Sequence, residues 1–182
     1  NTNTEGSQRA PSADFGSDGS VLVAWDSDAE GSPRIVGRLI GPDGLPLGEE
    51  FPLSPTADRS QIRPAVAGLP GGGFVVAYES YDFDSDDDEI RVQRVSSDGE
   101  LVGENILIKE SELHLHVDVA VAAGGFVVVW DDGFDIIGKR FSASGESVGD
   151  TFFVNSEIGT MYGPRIASAG GGIFAVVWDD RS

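Results

Sequence analysis

The chain has 182 residues, with 12 Lys plus Arg against 31 Asp plus Glu, a net charge of −19. That balance excludes a nucleic-acid footprint and docking on anionic lipid, both of which need basic surface. No cysteine is present, which removes disulfides, thiolate catalysis and Cys-based metal sites, and no apolar run is long enough to span a membrane.

The first apolar segments in chain order are "APSA" at Ala10, "GSVLVAWDS" at Gly19, "RIVGRLI" at Arg34 and "EEFPL" at Glu49. The turn "PDGLPLG" precedes the last of them. The same order then returns. The second unit reads "RPAVA" at Arg63, "GGFVVAYES" at Gly72, "EIRVQRV" at Glu89, "SDGELVG" and "ENILI" at Glu104. The third reads "HVDVA" at His116, "GGFVVVWDD" at Gly124, "DIIGKRF" at Asp135, "ASGESVG" and "DTFFV" at Asp150. The fourth holds only "GPRIA" at Gly163 and "GIFAVVWDD" at Gly172. The aromatic closing the second segment is Trp25, Tyr78, Trp130 or Trp178, at spacings of 53, 52 and 48.

Each unit thus carries four short segments dominated by Val, Ile and Phe, too short for stable helices and suited to strands. Asp-Gly and Ser-Gly turns supply the positive-φ positions hairpins need. Four antiparallel strands per unit at this period predict an all-β fold of β-propeller blades. The repeats run over about 8–60, 61–113, 114–161 and an incomplete 162–182 of a single partial propeller domain. Ala, Gly and Ser in each first segment suit a crowded ring axis. In the second segment Phe74, Val76 and Tyr78 lie on one face and Val75 and Ala77 on the other, so both faces must be covered.

"FVVVWDD…DIIGKRFSASGESVG" resembles the repeats of secreted or surface-anchored bacterial propellers of TolB-like or hemolysin-associated type. The likeness covers about residues 8–182, with Tyr78 in place of Trp and Val117 in place of Pro. It implies an extracellular or cell-surface, calcium-associated protein. It says little about activity, since such propellers host many functions.

Four features could carry chemistry. The loop "ESYDFDSDDDE", Glu79 to Glu89, holds seven acids in eleven residues. Its candidate calcium ligands are Asp82, Asp84, Asp86, Asp88 and Glu89, since hard cations prefer several carboxylate oxygens. A solvated acidic loop is the alternative. The acid after each aromatic (Asp26, Glu79, Asp131, Asp179) recurs in every unit. Recurrence favours a structural role, because an active site breaks symmetry. His114 and His116, two apart on a strand, share a face with Glu112 and Asp118, so they read either as a zinc or copper site or as ordinary polar blade positions. Trp25, Trp130 and Trp178 read as core rather than as sugar platforms.

No catalytic or cofactor-binding residue is assigned. The expectation is a non-enzymatic extracellular module for binding or scaffolding, with a protein or carbohydrate ligand or self-association through open blade faces, and without nucleic-acid partners. The runner-up is a piece of a secreted carbohydrate-active enzyme propeller, or a self-assembling surface subunit. The start at Asn1, without Met or an apolar leader, reads as a processed product or an excised piece.

Overall fold

The computed structural model describes residues 2–54, 59–82, 88–111, 116–157 and 159–181. The described residues form three four-stranded antiparallel sheets and one two-stranded sheet, each with its strands in sequence order. The first sheet is β1 (Gln8–Phe15), β2 (Val21–Ser27), β3 (Arg34–Ile40) and β4 (Phe51–Pro52). The second is β5 (Ser60–Gly68), β6 (Phe74–Tyr81), β7 (Asp88–Val95) and β8 (Leu101–Ser111). The third is β9 (Val117–Ala122), β10 (Gly125–Asp131), β11 (Ile136–Ser142) and β12 (Ser147–Phe153). The last is the hairpin of β13 (Met161–Gly170) and β14 (Ile173–Asp180). This all-β meander is the architecture of propeller blades.

The blades stack face to face through their apolar side chains. At the first seam Leu22, Ala24, Ile35, Leu39 and Leu53 meet Phe74, Val76 and Tyr78 of the second blade. At the second seam Val75, Ala77, Ile90 and Val92 meet Val119, Phe126, Val128 and Trp130. The two faces of β6 therefore serve two different neighbours, which explains why its sequence is apolar at consecutive positions. At the third seam Val127 and Val129 meet Ile166, Phe174 and Val176. Tyr78 is fully buried and Trp130 nearly so. Rings of this size bury about 150–250 Å² each, so truncating Trp130 to Ala would cost ~3–5 kcal/mol.

The first strands line up beside one another: β5 packs against β1 and β9, and β9 against β13. This is the crowded inner edge of the stack. A methyl group added at Gly68 would lie 1.9 Å from the Phe15 carbonyl oxygen of the first blade, so only glycine fits there.

Three inner strands share one irregularity. Pairing slips between Arg9 and Ser12, Ile62 and Ala65, and Tyr162 and Arg165. At the slip Ala10, Arg63 and Gly163 adopt φ of 47°, 52° and 59°, each just before a proline. A bulge re-aims backbone groups out of the ladder, and at Arg63 and Gly163 it turns the bulge residue's N–H toward the preceding blade.

Candidate functional site

At the first and third seams the acid that follows the aromatic meets the bulge of the next blade. Asp26 Oδ1 accepts the Arg63 N–H at 3.2 Å across the first seam, and Asp131 Oδ2 accepts the Gly163 N–H at 2.9 Å across the third. A second lock lies further along the strand. Ser12 Oγ accepts the Val66 N–H at 3.1 Å, and Asp118 Oδ2 accepts the Ile166 N–H at 2.9 Å. Side chains of one blade thus satisfy outward-facing backbone donors of the next blade's inner strand, at the bulge and beyond it. The recurring acid is structural at these two seams.

The second seam departs from that scheme. Its acid is Glu79, one methylene longer, and it turns to the Arg63 guanidinium, with Nη1 to Oε2 at 2.8 Å. The position of Ser12 and Asp118 is Ala65, which has no acceptor. The bulge position is His116, whose Nδ1 lies 2.9 Å from Asp131 Oδ2. Among the described residues, no side-chain lock to the backbone joins these two inner strands. In its place a pocket of about 450 Å³ opens at the inner-strand starts of all four blades. Arg63, Glu79, His116, Asp118 and Arg165 line it, with Ala10, Pro11 and Ser12 at the side of the first blade.

The electrostatics of this pocket are unusual for so acidic a chain. Burial pushes the Glu79 carboxyl up to about 7, against the opposing pull of Arg63 and His116. The hydrogen bond to Asp131 holds the His116 imidazole above its ordinary value, despite partial burial. Asp131 itself has no solvent exposure, and its Oδ1 is a buried acceptor without a partner among the described residues. Burial also raises Asp118, while N–H donors from Ile166 and Val119 favour its charged form. Groups with opposed environments in one cleft are the physical mark of a reactive site.

Only some of the sequence-predicted positions fall among the described residues. Of the candidate calcium ligands, Asp84 and Asp86 lie outside the described residues. Asp82 is half-buried just past β6, and Asp88 and Glu89 are buried at the start of β7. Glu89 pairs with Arg91 at 2.6 Å and Arg59 at 3.6 Å. Among the described residues no three His, Cys, Asp or Glu gather in a metal-holding group. His114 and Glu112 also lie outside the described residues, whereas His116 and Asp118 line the pocket together. Trp25 and Trp130 are buried, with Trp25 Nε1 donating to Gln8 Oε1 at 2.6 Å. Arg63 and Arg165 are not among the sequence candidates. The signal that marks the site is the break in register at Glu79 and Ala65.

No family model matches the sequence, and no curated protein matches it significantly. Solved structures do. The endo-arabinase of Bacteroides thetaiotaomicron superposes with TM-score 0.57 at 14% identity, over 98% of this chain and 72% of that one. A GH43 endo-arabinanase from Bacillus licheniformis gives TM-score 0.50 at 13% identity, over 95% of this chain and 73% of that one. A putative glycoside hydrolase from Bacteroides ovatus gives 0.50 at 14%, over 80% of this chain and 50% of that one. At such identities the likeness establishes the fold, a stack of propeller blades. The narrower TolB-like or hemolysin-associated type has no family match behind it. The expectation of a non-enzymatic module is corrected: these three neighbours are named as an endo-arabinase, a GH43 endo-arabinanase and a putative glycoside hydrolase, all enzymes.

Proposed function

We propose that the chain is part of a carbohydrate-active enzyme propeller whose site is the pocket at the second seam. The break in the repeat carries this reading. Where the other seams use Asp to lock backbone, this one places a longer acid, a histidine and two arginines around a 450 Å³ pocket. Glycosidic cleavage needs one carboxyl group that keeps its proton near neutral pH and a second that is ionised. Glu79, raised to about 7, is the proton donor to the leaving oxygen. Asp118, held by two backbone N–H groups, is the ionised partner. Arg63 fixes one Glu79 oxygen, leaving the other for the substrate. Asp131 fixes the His116 ring.

The test is reducing-sugar release from a panel of polysaccharides that includes arabinan, the substrate class in the names of two neighbours. Turnover of at least one glycan is expected, with Glu79→Gln lowering kcat by ~100-fold or more while the fold is retained by circular dichroism. Full turnover by Glu79→Gln, or no turnover of any glycan by the native chain, overturns the reading.

A further inference from the structure

The hydrogen-bonding capacity left over in the pocket is lopsided. Arg63 has about five N–H donors, and one of them, on Nη1, goes to Glu79. Its side chain is half exposed. Arg165 directs Nη1 to the Pro164 carbonyl at 3.0 Å and is otherwise open. His116 uses Nδ1 on Asp131, and its Nε2 meets no protein partner among the described residues. The acceptors are partly engaged. Each Asp118 oxygen takes a backbone N–H, and Asp131 Oδ2 takes two donors behind the histidine. What faces the cavity is therefore a donor-rich wall of two guanidiniums and an imidazole, with two carboxyl groups, Glu79 and Asp118, set among them.

A neutral sugar offers hydroxyls that donate as well as accept, and it would leave these charged donors poorly matched. Building on the reading of the site as carbohydrate-active, we propose that the pocket takes a carboxylate-bearing sugar, a uronate unit, whose carboxylate sits between Arg63 and Arg165. Guanidinium and carboxylate match in planar, charge-assisted geometry. The chain's overall charge of −19 does not oppose this at contact range. Screening at physiological salt has a length of ~8 Å, so a carboxylate in the pocket responds to the guanidiniums beside it rather than to acids on distant turns.

The proposal is tested by calorimetric titration of the full chain with trigalacturonate, its methyl ester, arabinotriose and glutarate. Trigalacturonate is expected to bind best, with the ester weaker by about tenfold, the value of a charged hydrogen bond. Arg165→Gln, a change at an exposed side chain, should weaken trigalacturonate by a similar factor and leave the melting temperature unaltered. Equal or tighter binding of the ester or arabinotriose overturns the uronate proposal and leaves the carbohydrate reading standing. Glutarate binding as tightly as trigalacturonate also overturns it, since the anion would then be read without the sugar. Undiminished binding by Arg165→Gln removes its geometric basis. If neither sugar binds, both readings fall.

Discussion

Glu79 and His116 make the pocket pH-sensitive in a direction that follows from their environments. The folded chain holds the Glu79 proton more tightly than the unfolded chain does, with the carboxyl moved from 4.5 to about 7. Stability from this group is therefore greatest below about 4.5 and falls as pH rises to about 7. A tenfold change in proton affinity is worth ~1.4 kcal/mol, which bounds the loss at about 3 kcal/mol. His116 acts in the same direction. Its contribution is complete below 6.5 and disappears as pH rises through its elevated folded value. Glu79→Gln should flatten the fall in melting temperature between about pH 5 and pH 8 and leave the variant more stable than the native chain at the upper end. An unchanged slope in that variant would mean that Glu79 titrates as an ordinary surface acid. The imidazole offers a second check. Its NMR titration midpoint should lie above 6.5 and drop in Asp131→Asn, because the amide no longer stabilises the imidazolium.

At the scale of strands, the bulge and its lock decide how blades join. Asp26 reaches the Arg63 N–H, and Asp118 reaches the Ile166 N–H. Truncating either acid to Ala leaves a partly buried donor without a partner, at a cost of ~1–3 kcal/mol. Urea unfolding should report that loss for Asp26→Ala and Asp118→Ala, whereas Asp98→Ala in an exposed turn should move the midpoint little. Gly68→Ala should be worse than either, because the clash is with backbone of the neighbouring blade. The strands themselves are legible in the sequence. Val, Ile and Phe runs between Gly-containing turns mark them, and the consecutive apolar positions Phe74 to Tyr78 foretell a strand covered on both faces. The recurring acid is also legible as structural at Asp26 and Asp131. The pocket is not legible, because it assembles Arg63, Glu79, His116 and Arg165 from separate segments of three blades. Their convergence depends on the bulge that re-aims the inner strands, and a bulge at Arg63 or Ala10 has no glycine to announce it. The substitution of Glu79 and Ala65 into the repeat is visible. Its meaning requires knowing that the other seams use those positions as locks.

For the molecule as a whole, the same repeat position takes opposite environments at the middle and the end of the stack. Val129 is fully buried between the third and fourth blades, while its counterpart Val177 is 64% exposed. Ile173 on the same strand is 68% exposed. At the other end Val23 and Trp25 line an apolar hollow with Pro11. These end faces are the two kinds of surface that meet at each internal seam: a face like that of Phe74, Val76 and Tyr78, and a face like that of Val127 and Val129. Burying one Val is worth ~1.5–3 kcal/mol, so these faces favour being covered, whether by further blades of a longer chain or by a second copy. Between copies of these 182 residues alone, the contact would join unlike faces, a head-to-tail arrangement that either closes into a ring or grows. Light scattering should therefore give a mass above 19.1 kDa that rises with concentration. Val177→Lys places a charge in the middle of one face without touching a seam, and it should return the chain to a monomer while leaving its melting temperature unchanged. Monomeric behaviour of the 182 residues at all concentrations would show that these faces do not drive association between copies. A Val177→Lys variant that still associates would place the contact elsewhere, with the exposed edge of β14 the next surface to charge.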